Sequence, residues 1–204
     1  MLHSTSFPRL IDLRIKLELK MKPVRSILLS LTALFSQGIA ATAMAEQSTA
    51  TAQLSQSEIF AIYDQLNGFD IETAGLGAVK GHDTQVRELA VMVLRDHSAV
   101  RQWARDIAVA EGVEYTVDAE SEAAAGHNGA MAQLQTLSGA EFDRAYLAHE
   151  RVFHTNAIAA IRSTLLPAST SERFKEHLQA VLPGFEHHLA ETIRVEKELG
   201  YAAD

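Results

Sequence analysis

The spacing of apolar residues is the feature that most constrains what this chain can fold into. Past residue 55 they recur every three or four positions along four long stretches, and we find no convincing alternation of apolar and polar residues. A spacing of three and four places side chains on one face of an α-helix, whereas strict alternation is typical of a half-buried strand. The pattern therefore predicts an all-α fold. Helices are expected at about residues 56–80, 84–111, 139–164 and 170–199, with a shorter fifth helix within 118–137.

Capping residues support these helix boundaries. Three Ser-x-x-Glu tetrapeptides, which begin at Ser55, Ser138 and Ser169, have the spacing of a capping box. In such a box the serine and glutamate side chains each satisfy a backbone group that the first helical turn leaves unpaired. Asp83 is a further N-cap candidate. Pro183 lies inside the fourth predicted helix, where it removes one backbone N–H and is expected to kink the helix.

The lengths of the connections predict how the helices are arranged. The first two helices and the last two are joined by short links, so each pair is expected to form an antiparallel hairpin. Residues 112–138 make a long crossover between the two hairpins, which is the ferritin-like variant of the four-helix bundle. We therefore expect a ferritin-like bundle domain over residues 57–200, preceded by a polar tail at 46–56.

An export signal is predicted ahead of this domain. From Met21 the chain has a basic start, a mostly apolar run from Ile27 to Phe35 and an Ala-x-Ala cleavage motif that ends at Ala45. We expect residues 21–45 to be a cleaved signal peptide, the protein to be periplasmic, and no stable membrane insertion after cleavage. Because a signal peptide begins near the first residue, we also expect translation to start at Met21 and residues 1–20 to be an extension assigned in error.

Composition excludes several classes of function. With no cysteine, the chain has no disulfide, no thiolate metal site and no cysteine nucleophile. The net charge is −8, and it becomes −12 without residues 1–45, which hold six of the 18 basic and two of the 26 acidic residues. Such a charge argues against nucleic-acid binding. No Gly-rich phosphate loop and no Gly-x-Ser-x-Gly motif occurs, so whether the protein is an enzyme stays uncertain and we lean towards a non-enzyme.

Each main helix carries one residue of a metal-ligating type on its predicted apolar face. These residues are Glu72, His97, His154 and His188, each three, four or seven positions from apolar neighbours, and Glu150 lies one turn before His154. Imidazole and carboxylate ligands suit Zn, Cu, Fe or Ni. The set therefore predicts an interior site for a transition metal. Hydrogen-bonded core histidines without a metal are the alternative interpretation.

The helical rise predicts two levels for these residues. At ~1.5 Å per residue, His97 and His154 are expected at one depth, with Glu72 and His188 roughly 9 Å nearer one end and Glu150 between the two levels. A single four-residue site does not follow from this count. The Glu-x-x-His motif of helical di-iron sites and the His-Glu-x-x-His motif of zinc proteases are both absent, which disfavours those two classes.

The other histidines of the domain are expected outside this set. His82 and His127 lie near glycines and are predicted to be in loops. His177 and His187 lie beside the apolar face of the fourth helix and are predicted to be solvated. His149 is ambiguous, because it lies four residues before an apolar aromatic residue.

Four segments of the domain resemble a bacterial family. They are Asp70-Ile-Glu-Thr, Val93-Leu-Arg-Asp-His97, Leu137-Ser-Gly-Ala-Glu-Phe-Asp-Arg-Ala-Tyr146-Leu and Leu182-Pro-Gly-Phe-Glu-His-His188-Leu. Over residues 57–199 the chain resembles the exported domain-of-unknown-function family 4142, a ferritin-like group. The resemblance implies that fold and puts Glu72, His97, His154 and His188 at the family's typical Glu and His positions. It implies no activity, because the role of the family is unknown.

Three functions remain open at this point. The preferred hypothesis is a non-catalytic envelope, stress or interaction module whose buried histidines serve packing or a pH response. The alternative is a metal-binding bundle that holds Zn, Cu or Fe with the inward Glu and His residues. An enzyme is the third and weakest hypothesis. Nucleic acid is not an expected partner, and a protein partner and the oligomeric state are left open.

Overall fold

The computed structural model describes residues 53–201, and every regular element among them is helical. In chain order these are α1 (Gln56–Lys80), α2 (Thr84–Glu111), α3 (Glu122–Thr136), α4 (Gly139–Ala160), a π-helical turn (Ile161–Leu165), the short α5 (Leu166–Ala168) and α6 (Glu172–Glu198). The predicted all-α fold is confirmed. The predicted signal peptide and the segment before it lie outside the described residues. Within 53–201, no helix has both the length and the apolar character that a membrane span requires.

The helix starts follow the predicted capping signals at α1 and α2 but not at α6. Ser55 forms a complete capping box at the start of α1, and the side chain of Asp83 accepts a backbone N–H at the start of α2. The helix α6 is capped by Ser171 rather than Ser169. The hydroxyl of Ser169 is instead 3.1 Å from the side-chain oxygen of Gln56, so this serine ties the start of α6 to the start of α1.

Two apolar clusters fill the two ends of the helical domain. One cluster joins the first halves of α1 and α6 to the second halves of α2 and α4, and includes Ile59, Phe60, Ile107, Ile158, Phe174 and Leu178. The other joins the opposite halves of the same helices, and includes Ala74, Val86, Leu89, Phe142, Leu147 and Val195. Therefore α1 and α6 run in one direction, while α2 and α4 run in the other.

The helix α3 carries the chain back between the two ends along the outside of α1. The ring of His127 in α3 stacks on Phe69 of α1 with a centroid distance of 4.3 Å. Near the end of α1, the ammonium group of Lys80 donates to the backbone carbonyl of Gln135 at 2.7 Å. The fifth predicted helix is thus confirmed. Its contacts cover the face of α1 that carries Phe69 and Lys80.

The inward face that apolar spacing predicts for α1 is only partly correct: it holds for Ile59, which is fully buried, but not along the whole helix. Apolar spacing places Ile62 and Val79 inside, but these residues are 37% and 82% exposed. The face that is buried against α2 and α4 carries polar and small side chains: Asp64, Asn67, Asp70, Thr73, Ala74 and Gly77. Apolar spacing is misleading here because part of the apolar stripe of α1 packs under α3, while the interior face of this helix is largely polar.

Gly77 marks the closest approach of α1 to its neighbours. A Cβ atom at this position would lie 2.6 Å from the ring of Tyr146, which is fully buried, and 3.0 Å from the Cβ of Ala90. At Gly75, on the same helix, a Cβ would meet nothing within 4 Å.

We expect Gly77→Ala to destabilise the domain by about 1–3 kcal/mol, because the added methyl group overpacks a filled interior. The matched variant Gly75→Ala should stabilise it by up to about 1 kcal/mol, since alanine is the better helix former. Urea unfolding followed by circular dichroism measures both. Equal effects of the two substitutions would contradict the close packing at Gly77.

Candidate metal centre

A belt of buried polar side chains separates the two apolar clusters. All four long helices contribute to it, and its members are no more than 2% exposed: Asn67, Asp70, Thr73, His97, Glu150, His154, His188 and Thr192. Buried polar groups are costly unless each finds a partner, so their concentration at one level of the domain calls for an explanation.

Three histidines from three helices meet in this belt. The ring centroids of His97, His154 and His188 are 5.2–5.5 Å apart in every pair. One nitrogen of each ring lies within 4.8 Å of one nitrogen of the other two. The closest pair is His97 Nε2 and His188 Nδ1, at 3.3 Å.

Asp70 of α1 adds a carboxylate to this group. Its Oδ2 atom is 2.9 Å from Nε2 of His97 and 3.5 Å from Nε2 of His154. Despite these short distances, neither Oδ2 of Asp70 nor Nε2 of His154 makes a hydrogen bond of acceptable geometry within the described residues. The atoms are close together but are not aligned as donor and acceptor.

The side chain of Asn67 identifies Nδ1 of His97 as a hydrogen-bond donor. The side-chain N–H of Asn67 donates to the backbone carbonyl of Tyr63 at 2.8 Å, which identifies the other end of the amide as its oxygen. That oxygen is 3.0 Å from Nδ1 of His97. Because an amide oxygen only accepts, Nδ1 of His97 is the donor, which leaves Nε2 facing Asp70 and His188.

The other two histidines are fixed in the same way. Nδ1 of His154 donates to the backbone carbonyl of Glu150 at 3.0 Å, so Nε2 of His154 presents its lone pair. Nε2 of His188 donates to the carboxylate of Asp96 at 3.1 Å, so Nδ1 of His188 presents its lone pair.

With all three rings neutral, these outer hydrogen bonds leave four acceptor atoms that face one another: Oδ2 of Asp70, Nε2 of His97, Nε2 of His154 and Nδ1 of His188. Bonds of about 2.0–2.1 Å from a tetrahedral zinc ion to its ligands put neighbouring ligand atoms about 3.3 Å apart. Three of the six ligand–ligand separations, at 2.9, 3.3 and 3.5 Å, are close to the edge of such a tetrahedron. Acceptors tied from behind by protein groups are also the usual surroundings of metal-bound histidines.

The helix boundaries explain why these four residues share one level. Asp70 and His188 lie near the middle of α1 and α6, which run in the same direction. His97 lies at the middle of α2, and His154 lies at a matching distance from the end of the helical run that closes with α5. At ~1.5 Å per residue, the depths of the four residues from that end of the domain agree within about 3 Å. The predicted separation of His188 from His97 and His154 is thus wrong.

Burial and neighbouring charges set the protonation of the site. Burial disfavours charge on Asp70, but the adjacent imidazole of His97, together with His154, outweighs it and lowers the pKa of Asp70. Burial lowers the pKa of His154 to about 4. Burial and the neighbouring His97 lower the pKa of His188. Near neutral pH the site therefore offers a carboxylate together with neutral rings at His154 and His188.

Glu150 lies beside this group in a different state. It is fully buried, and neither of its carboxyl oxygens has a hydrogen-bond partner among the described residues. Burial and the negative charge of Asp70 raise the pKa of Glu150 well above its usual value. It forms a second candidate ligand group with Asp70 and His154. The sequence-based suggestion that Glu150 lies near the site is in line with this position.

Glu72 lies away from the other predicted ligands. Its side chain is 62% exposed, and its carboxylate is 2.8 Å from Nε2 of His127 in α3. The expectation that Glu72 faces the interior with His97, His154 and His188 is therefore wrong. Asp70, two residues earlier and about 200° away around the helix, supplies the interior carboxylate.

One family model matches this chain. It is described as a domain of unknown function, DUF4142, and it matches residues 41–195. The chain belongs to the DUF4142 family. No curated protein and no solved structure matches it. The predicted resemblance is confirmed, and membership of DUF4142 assigns no activity.

Three residues that build the site of this DUF4142 protein were not predicted from the sequence: Asn67, Asp70 and Asp96. A signal for two of them existed. Asn67 and Asp70 lie on one stripe of α1 together with Thr73, at a three-residue spacing that is usually sought only among apolar positions. Asp70 and Asp96 also lie in segments that carry the family resemblance. Asp70 is two residues before Glu72, and Asp96 directly precedes His97, which are both predicted ligands.

The remaining histidines of the DUF4142 domain are partly as predicted. His82 lies in the turn between α1 and α2, and His187 is exposed, as expected. His127 is in α3 rather than in a loop. His149 is partly buried. His177 is 1% exposed rather than solvated, because it packs against the first apolar cluster and its Nε2 lies 3.0 Å from the hydroxyl of Tyr63.

Burial of His177 predicts a loss of stability in acid. Burial lowers its folded-state pKa to about 4, below the ~6.5 of an unfolded chain. The unfolded state therefore takes up the proton first, and the contribution of His177 is complete above about pH 6.5 and is lost as the pH falls towards 4. The loss at pH 4 is about 3 kcal/mol.

Urea unfolding at pH 7 and pH 4.5, without added metal, tests this expectation. Replacing His177 by glutamine, which keeps a polar partner for Tyr63, should reduce the difference in unfolding free energy between the two pH values. The matched variant His187→Gln, at an exposed histidine of the same helix, should leave that difference unchanged. An equal pH dependence in wild type and His177→Gln would refute the assignment.

Proposed function

We propose that this DUF4142 protein binds one divalent first-row transition-metal ion in its interior, with Zn²⁺ the best fit. The ligands are Oδ2 of Asp70, Nε2 of His97, Nε2 of His154 and Nδ1 of His188. The observation that carries the proposal is the convergence of these four acceptors, of which the three nitrogens are each turned inward by a hydrogen bond on the far side of the ring. With neutral rings and no cation, four lone pairs would face one another in a buried site.

The ligand types narrow the class of metal. Imidazole nitrogen with one carboxylate oxygen suits Zn²⁺ and its first-row neighbours, while the lack of cysteine removes the thiolate ligands that favour Cu(I) and iron–sulfur clusters. The three short ligand–ligand distances are compatible with a four-coordinate tetrahedral ion, which is the usual geometry of Zn²⁺.

Charge balance supports one ion rather than two. A divalent ion bound by neutral imidazoles and the single carboxylate of Asp70 leaves one positive charge in the belt. A second divalent ion near Glu150 would leave a further uncompensated charge even after Glu150 gave up its proton. The raised pKa of Glu150 indicates that this carboxyl is neutral beside Asp70. Buried charges without partners are strongly disfavoured.

The site favours a metal-holding protein over an enzyme. All four ligands are at most 2% exposed, so no open coordination position faces the solvent for a substrate. Closed four-ligand sites are typical of structural zinc, whereas catalytic zinc keeps a position for water. We therefore rank the metal-binding hypothesis above the interaction module that the sequence favoured. The role that we propose for the protein is metal buffering or stress defence.

The fold and the location belong to the same proposal. The chain forms two antiparallel hairpins joined by a long crossover, so that α2 and α4 run in the same direction. This is the connectivity of a ferritin-like four-helix bundle. Residues 21–45 have the order of features of a signal peptide. We propose that the protein is exported and works in the bacterial periplasm. It has no expected affinity for nucleic acid.

Metal content of matched variants tests the proposal. Protein recovered from the periplasm of an expressing bacterium, without a polyhistidine tag, should hold about one equivalent of metal per chain after dialysis. Asp70→Asn and His154→Ala should lose it, because each removes a ligand. Glu72→Gln and His187→Ala, which change the same residue types outside the site, should keep it.

Circular dichroism of each variant shows whether it is folded, and mass spectrometry of the digested samples identifies the metal. A wild-type protein that holds no metal and takes up none of Zn²⁺, Cu²⁺, Ni²⁺ or Fe²⁺ would contradict the proposal. So would a folded Asp70→Asn variant with unchanged metal content.

Asn67 should increase the affinity for Zn²⁺ without itself binding the ion. In Asn67→Ala, Nδ1 of His97 loses its acceptor, and the ring no longer has a fixed orientation. We expect Zn²⁺ affinity to fall about 10–100-fold, as is usual when such supporting groups are removed. Ser98→Ala is the control, because it deletes an exposed side-chain hydrogen bond on the residue next to His97 without contacting the ring.

Competition with a chelating dye of known affinity measures both dissociation constants. Equal affinities of Asn67→Ala and wild type would contradict the proposed role of Asn67 in holding the ring of His97.

A further inference from the structure

The four proposed ligands differ in how they are held. His97 is held by Asn67, which is fully buried, and His154 by a backbone carbonyl of its own helix. Thr73, also fully buried, supports Asp70 through a 3.4 Å contact to Oδ1. His188 alone is held by a group at the surface, since the side chain of Asp96 is 37% exposed.

From this asymmetry, and resting on the metal site proposed above, we propose that the Asp96–His188 pair is the gate through which the ion enters and leaves. The pair joins α2 to α6. The ion reaches the interior when His188 swings outward with its turn of α6, and Asp96 draws the ring back when the ion is bound.

The carboxylate of Asp96 is suited to receive a cation from solvent. Its Oδ2 accepts from His188 at 3.1 Å, and its Oδ1 is 2.7 Å from Nε of Arg95. The side chain of Arg95 is 72% exposed, and ion pairs at such positions contribute little stability. An arriving metal ion can therefore displace Arg95 from Oδ1 at small cost in free energy. From there, the ring of His188 lies between the ion and Nε2 of His97.

The helix α6 has a weak point next to the gate. Pro183, in the turn of α6 that precedes His188, has no backbone N–H, so the carbonyl of Gln179 lacks its usual donor. Gly184 follows, and nothing lies within 4 Å of the position of a Cβ there. A missing hydrogen bond and a glycine are common sites of bending in helices. The turn that carries His188 can thus move while α1, α2 and α4 keep their positions.

The rate of metal release tests the gate. The purified full chain is loaded with Zn²⁺ and mixed with excess chelating dye, and release is followed by absorbance. We expect Asp96→Ala to release Zn²⁺ at least tenfold faster than wild type, because the outer nitrogen of His188 loses the carboxylate that holds it. Pro183→Ala should release at least threefold more slowly with the same affinity, because it restores a hydrogen bond to α6.

The matched control is Asp106→Asn, which removes the same charge from the exposed side of α2 about three turns away. It should release Zn²⁺ at the wild-type rate. Global unfolding of each loaded protein is measured by circular dichroism under the same conditions. Release through the gate requires Zn²⁺ loss to be faster than unfolding in the wild type.

Two outcomes would overturn the gate while leaving the proposed function intact. One is a bound Zn²⁺ whose release rate is the same in Asp96→Ala and wild type. The other is a release rate that equals the unfolding rate in every variant, which would mean that the ion leaves only when the domain unfolds. A wild-type protein that never binds Zn²⁺ would overturn both proposals together, so the two failures are distinguishable.

Discussion

The convergence of one carboxylate and three imidazoles in a buried interior is the constraint on which the rest of this structure depends. Each of these groups has hydrogen-bonding capacity that water would otherwise satisfy, and leaving one such group unsatisfied costs about 1–3 kcal/mol. Here the outward-facing nitrogens are satisfied by Asn67, Asp96 and a backbone carbonyl, while Oδ2 of Asp70 and Nε2 of His154 have no hydrogen-bond partner among the described residues. The cation that we propose would resolve this imbalance, and in structural zinc sites metal binding contributes directly to folding.

The packing of the helices follows from that belt. An interior that is polar at mid-height cannot be held together by a continuous apolar core, and the chain instead has one apolar cluster above the belt and another below it. The helix α1 shows the consequence most clearly, since at the level of the belt its buried face carries Asn67, Asp70 and Thr73 rather than large apolar residues. Part of its apolar stripe is covered from outside by α3, so the crossover helix has a packing role as well as a connecting one.

Much of the fold could be predicted because α2, α4 and α6 follow the usual rule that the apolar face is the buried face. Val93, Phe142 and Phe185 are buried as their spacing predicts, and the same spacing identified His97, His154 and His188. The rule fails at α1, where a polar face is buried, and this is why apolar spacing predicts Glu72 rather than Asp70 as the interior carboxylate. Counting helical rise failed for His188 because small errors at several helix ends add up, including the start of α6 at Glu172.

What no pattern in the sequence could supply is the direction of each hydrogen bond. The case for a metal depends on Asn67 turning its amide oxygen towards His97 and on Asp96 reaching His188 from the neighbouring helix. Such details depend on side chains 30 and 92 residues apart in sequence. They also separate this site from an ordinary cluster of core histidines, whose nitrogens would be paired with donors and acceptors in alternation.

The most direct test of the proposed metal site is a crystal structure of the Zn²⁺-loaded protein with diffraction data collected at the zinc absorption edge. We predict one anomalous peak per chain, about 2.0–2.2 Å from Oδ2 of Asp70, Nε2 of His97, Nε2 of His154 and Nδ1 of His188. An interior without a peak, or a peak bound only by exposed side chains such as His187, would contradict it.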